Sequence, residues 1–170
     1  TSVKHVRYRA RENITLTISN FEFLISLIRA LARRSFNEGG NRRIAFHLKI
    51  DTGMHRQGFL PRDIPKLIKL IKQSKLEPQG IYTHFASAKD AAYPTYTLEQ
   101  LKKFNDAVSK FKDSGFKNFI RHSAASGGAI LFPESHLDMV RIGMGLYGYW
   151  PSPESKTKFL IPAKFKIKNE

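Results

Sequence analysis

Lys49, Asp51, Thr52, Arg56, His84, Ser126 and Arg141 are the residues of this 170-residue chain whose types and surroundings could do chemistry. Lys49 lies inside an alternating run, Phe46-His47-Leu48-Lys49-Ile50. Asp51-Thr52-Gly53 breaks that run, and Gly53 can take a backbone geometry that a side chain resists. Arg56 follows on the same loop. An amine in a strand, an acid and a threonine at its end, and a guanidinium on the loop behind make an unusual local set. A blander reading has Asp51 and Thr52 cap a helix, with Arg56 a surface charge. His84 ends another apolar run, Ser126 follows a fourth, and Arg141 sits within 137–142. Taken singly, His84 reads as a core histidine and Ser126 as a helix N-cap. Arg141 is harder to dismiss, because a buried arginine needs an acceptor. Gly143 and Gly145 beside it permit close backbone approach. Together these residues would form one polar rim around a pocket.

The elements that must position them alternate. Residues 14–18 are β-branched and alternating and predict a strand. Ser19 and Asn20 are good N-caps. Phe21, Leu24, Ile25, Ile28 and Leu31 then recur on one face of a helix, closed by Arg33 and Arg34. Residues 37–41 read as a loop and 44–50 as the next strand. A second helix spans 61–74, with Ile64, Leu67, Ile68 and Ile71 inward and Pro65 tolerated in its first turn. Residues 80–85 are a third strand. Thr97-Leu98-Glu99-Gln100 reads as a capping box opening a third helix, lined by Leu101, Phe104, Val108 and Phe111 and ended by Gly115. Residues 118–122, 126–131 and 137–142 read as strand, short helix and fifth strand. Such alternation predicts parallel βα units. Working side chains of a βα barrel gather at the C-terminal strand ends, where these residues lie. An open doubly wound sheet is the other arrangement allowed. Trp150-Pro151-Ser152-Pro153 reads as a linker, and 163–168 as the first strand of another domain.

Composition sets the outer bounds. Hydrophobic content of 41% and charged content of 25% are ordinary for a globular chain. The absence of cysteine excludes a disulfide framework and a thiolate metal site. No apolar run has the length of a membrane span and no signal-peptide pattern stands out, so residence in the cytoplasm is the default. The net charge of +15 raises nucleic acid as a partner. The lysines and arginines are spread along the chain without interleaved aromatics, which favours a solvated surface instead. The chain starts at Thr1 and ends on an apparent strand, so a piece of a longer protein is expected.

Lys49-Ile50-Asp51-Thr52-Gly53-Met54-His55-Arg56-Gln57-Gly58 resembles the KxDTGMxRxG signature of alanine racemases. Residues 82–88, YTHFASA, are similar to the family's THFAxAD stretch, and 122–126, HSAAS, to its HxxNS segment. Residues 138–148, DMVRIGMGLYG, resemble MVRxGIxxYG, and Pro151-Ser152 the PS that follows. Four motifs fall in the family's order and cover most of 14–152.

The resemblance implies the C-terminal half of a (β/α)8 TIM-type barrel over 1–149. A linker and the start of a β-rich C-terminal domain would follow over 150–170. It implies a homodimeric, pyridoxal-phosphate-dependent isomerase that interconverts L- and D-alanine, supplying D-alanine for peptidoglycan. Arg141 would face the pyridine nitrogen, and His84 would help place Arg141. Arg56 would reach the phenolic oxygen and the substrate carboxylate. Lys49 would be carbamylated and orient Arg56. Ser126 with the amides of Gly143 and Met144 would hold the phosphate. Both catalytic bases would lie outside the chain, so residues 1–170 alone should be inactive. Ala125 replaces the usual asparagine, and Lys89 the usual acid. A racemase of serine or another amino acid, a non-catalytic cofactor-binding barrel and a basic nucleic-acid-binding domain are the alternatives.

Overall fold

The computed structural model describes residues 14–35, 44–90 and 92–158. β1 (Leu16–Ile18) leads into α1 (Phe21–Ser35), whose entry is capped where Phe23 N–H donates to Asn20 Oδ1 at 2.8 Å. β2 (Phe46–Lys49) is followed by a 3-10 turn (Pro61–Asp63) and α2 (Ile64–Gln73). β3 (Gly80–Tyr82) precedes α3 (Thr95–Asp113), and β4 (Ile120–His122) precedes α4 (Ser126–Leu131). Two more 3-10 turns (Pro133–Ser135 and Met144–Tyr147) and α5 (Pro153–Lys158) complete it.

The strands form one parallel sheet in the order β1-β2-β3-β4. A doubly wound sheet would reverse its strand order at a switch point. This one never reverses, so successive right-handed crossovers keep their helices on one face. That is the arc of a (β/α)8 barrel. Leu16, Ile18, Phe46, Leu48, Ile50 and Ile81 point to the helices and are buried. Ile64, Leu67, Ile68 and Ile71 of α2 meet them, joined by Phe104, Ala107, Val108 and Phe111 of α3. Burying each such side chain contributes roughly 2 kcal/mol. The other face carries Thr17, His47, Lys49, Tyr82 and His122, so polar groups alternate with core residues along β1 to β3, while β4 turns Arg121 to the helix side.

Four expectations need correction. Residues 137–142 are not a strand. Their backbone makes one hydrogen bond to β4, Asp138 N–H to Arg121 O, and one just beyond it, Arg141 N–H to Ala124 O, beside an isolated bridge between Ala125 and Arg141. Leu137 takes φ +50°, and the Asp138 carboxylate turns back to bind the Arg121 guanidinium at 2.7 and 2.8 Å. That kink and the ion pair take the segment off a regular ladder. α3 begins at Thr95, so Thr97 and Gln100 are interior and buried rather than a capping box. In α1 the deepest residues are Leu24 and Leu27, while Ile25 is only half-buried. Residues 153–158 form α5 rather than continuing a linker, and Ser152 is anchored by its hydroxyl to Lys89 O at 2.9 Å. The expected loop at 37–41 and strand at 163–168 lie outside the described residues.

Candidate functional site

The loop after β2 is built by one carboxylate. Asp51 Oδ1 accepts the amides of Gly53 and His55, at 3.0 and 3.1 Å, and Oδ2 accepts that of Arg56 at 3.1 Å. Burial would raise its pKa, but those amides and that of Met54 outweigh burial and hold it below the usual carboxylate range. The loop closes where Phe59 N–H donates to Lys49 O and Asp51 N–H to Phe59 O. Gly58 makes that closure possible: its φ is +138°, and a Cβ there would stand 2.6 Å from Asp51 N. Gln100 ties this loop to the next, donating to Thr52 Oγ1 at 3.3 Å and accepting Ala86 N–H at 2.9 Å. Asp51 is thus a loop organiser, not a helix cap. Asp51→Ala should lower stability by about 2 kcal/mol in a chemical-denaturation curve, because three charge-assisted hydrogen bonds are lost together.

Arg141 crosses from its bridge to the polar face of the sheet. Its NH2 donates to Thr83 O at 2.8 Å and Ser123 O at 3.0 Å, and lies 3.4 Å from His84 Nδ1. Its NH1 meets His122 Nδ1. The guanidinium sits 5.1 Å from the centre of the Tyr82 ring. The half-buried arginine therefore has its acceptors, in two carbonyls and an imidazole. His122 approaches Arg141 more closely than His84 does, so His84 is not the main contact placing it. Burial, then Arg141, then His47 push the His122 pKa down to about 3. Burial, Arg141, Arg56 and Lys49 lower that of His84.

Arg56 and Arg141 line one cavity of ≈ 370 Å³ with Lys49, Tyr82, His84 and His122. Lys49 is buried; desolvation lowers its pKa first, then Arg56 and Arg141, against the opposing pull of Asp51. A second cavity of ≈ 470 Å³ holds Ser126, Gly143, Met144, Ala125 and Lys89, and shares His84 and Arg141 with the first. Ser126 Oγ accepts Gly143 N–H at 3.0 Å and Gly145 N–H at 3.3 Å. The amide turned to Ser126 beside that of Gly143 is thus the one of Gly145, while Met144 lines the same cavity. No Asp or Glu is among the residues lining either cavity. Hydroxyl, amide and guanidinium donors without a competing carboxylate suit an anionic phosphate ester. All the expected site residues thus gather at the C-terminal ends of the strands.

The alanine racemase N-terminal domain profile matches residues 1–151. The chain belongs to the alanine racemase family. The alanine racemase of Desulforamulus reducens is 38% identical over 159 residues, 92% of this chain and 41% of its own length. That of Leptospira interrogans serovar Lai is 44% identical over 110 residues, covering 65% of this chain and 28% of its own. The solved alanine racemase of Clostridium difficile 630 superposes with TM-score 0.77 at 29% identity, over 91% of this chain and 39% of that one. That of Bacillus anthracis, with bound L-Ala-P, gives TM-score 0.81 at 25% identity, over 99% and 41%. The chain thus spans well under half the length of these relatives. Against the family motifs two residues gain weight. His47 and His122 stand on the polar face, beyond the site residues that the sequence marks. The signal for them is positional: both fall on the inward register of a barrel strand, in line with Lys49 and Tyr82.

Proposed function

We propose that the chain is part of a pyridoxal-phosphate-dependent alanine racemase that interconverts L- and D-alanine as a cytoplasmic homodimer. Residues 1–149 would be barrel, and 150–170 would lead into a C-terminal β domain. One observation carries the reading: Arg56 and Arg141, distant in sequence, line a single cavity that adjoins the Ser126 cavity through His84 and Arg141.

Ser126, with the amides of Gly143 and Met144, would hold the phosphate. Arg141 would face the pyridine nitrogen. It is a donor with no proton to hand over, because a guanidinium stays charged. His84 would help to place it. Arg56 would bind the phenolic oxygen and the substrate carboxylate. Lys49, made less basic by burial and neighbouring cations, would add carbon dioxide as a neutral amine and release a proton. The carboxylate so formed would orient Arg56. When bound, the cofactor withdraws electrons from the substrate and makes its α-proton removable. Two groups must then move protons on opposite faces of that carbon, and both lie outside residues 1–170 in this reading.

The test is a racemisation assay on the full-length protein with pyridoxal phosphate. D-Alanine should accumulate from L-alanine, and residues 1–170 alone should produce none. Turnover of serine but not alanine would shift the substrate. Turnover of neither would overturn the reading, and activity of residues 1–170 alone would contradict the placement of the bases.

A further inference from the structure

We propose that His47 is a positioning residue: it accepts the Nε2 proton of His122 and thereby locks the tautomer in which His122 Nδ1 receives Arg141. The argument begins with the guanidinium, which has donors only. His122 Nδ1, in contact with Arg141 NH1, must therefore carry a lone pair. A neutral imidazole has one N–H, so the proton of His122 sits on Nε2. Nε2 lies 2.9 Å from His47 Nδ1. His47 Nδ1 must then be the acceptor, and the proton of His47 is on its own Nε2. The chain of donors runs one way, from Arg141 through His122 to His47.

The fold makes room for this contact. In the sheet register His47 pairs with Gly80, and His122 with Tyr82 on the next strand. His47 must cross Gly80 to reach His122. A Cβ at position 80 would stand 2.6 Å from His47 Nε2 and 2.7 Å from Cδ2 and Cε1. The glycine thus clears the place where the imidazole lies. Tyr82 stacks on His122 with ring centres 4.7 Å apart and planes 6° from parallel, so the His122 ring cannot swing to another partner without losing that contact. With the ring held, the remaining freedom is where its proton sits, and His47 removes it. If the proton moved to Nδ1, His122 would present an N–H to a guanidinium, and Arg141 would lose an acceptor.

The consequence for catalysis rests on the reading of Arg141 as the group facing the cofactor nitrogen; the tautomer does not. The experiment separates the two. Full-length protein labelled with 15N-histidine is compared as wild type, His47→Phe and His47→Asn, without added cofactor and at neutral pH. Wild-type His122 should show one tautomer, protonated on Nε2. His47→Phe keeps a ring of similar size but no acceptor, and should populate the Nδ1-protonated form. His47→Asn places an oxygen where Nδ1 stood and should restore the wild-type pattern. In the loaded enzyme His47→Phe should lower kcat about tenfold and leave KM for L-alanine within about twofold. If His47→Phe does not fold, Gly80→Ala, which displaces the His47 ring, should give the same His122 change. A His122 spectrum unaltered in His47→Phe and Gly80→Ala overturns the proposal, as does failure of His47→Asn to restore it. A tautomer change in a protein that racemises nothing would sustain the proposal and remove the proposed function instead.

Discussion

Arg141→Ala is expected to lower kcat/KM for alanine in the full-length protein by about a hundredfold to a thousandfold, the usual cost of losing a preorganised donor at a reacting group. The guanidinium is held by Thr83 O, Ser123 O and His122 Nδ1, with His84 Nδ1 at the edge of contact. Those partners fix its plane, so it is aimed before any ligand arrives. The same bonds help tie segment 137–142 to the sheet, beside two backbone hydrogen bonds and the Asp138–Arg121 ion pair. The variant should therefore also lose about 2–3 kcal/mol of stability, because buried carbonyls lose a charged donor. Arg141→Lys separates these effects. A lysine ammonium could reach one carbonyl and recover part of the stability. It cannot reproduce the planar fork, so activity should stay low. Melting curves beside kinetics on both variants check this.

Acidification is expected to destabilise the fold well before its carboxylates titrate. His122 has a folded pKa of about 3 against 6.5 unfolded. Between those values the unfolded chain binds a proton that the folded chain refuses. Stability therefore rises with pH across that window, is fully present above about 6.5, and is lost as pH falls toward about 3. His47 and His84 have lowered pKa values too and add to the loss in the same direction. The physical cause is that a protonated His122 would be buried and would point an N–H at Arg141. His122 carries the largest share of that loss. Urea midpoints measured from pH 8 to pH 4 should fall steadily, and His122→Asn should flatten the slope.

Much of this site was legible in the residues. The inward faces of α2 and α3 follow a helical period, and Ile64, Leu67, Ile68 and Ile71 are all buried as that period requires. The strands β1 to β4 were marked by short apolar runs between turn residues. The 137–142 run was misleading for the same reason: Met139, Val140 and Ile142 have strand-like character, yet all three are exposed. What keeps them from a ladder is a left-handed Leu137 and an ion pair to Arg121, and neither shows in a local pattern. Thr-x-x-Gln marks a helix start only where the chain enters there, and at Thr97 α3 has already begun, so Gln100 faces inward instead. The pairing of His47 with His122 is not legible in a local pattern, because it is a contact across an intervening strand, over a glycine whose role depends on register.

The most direct test is a crystal structure of the full-length protein grown with pyridoxal phosphate. The phosphate is expected against Ser126 and the amides near Gly143, the ring nitrogen against Arg141, and Arg56 on the opposite edge of the ring. A phosphate bound instead between Lys49 and Arg56, or a ring that leaves Arg141 without a ligand contact, would contradict the account.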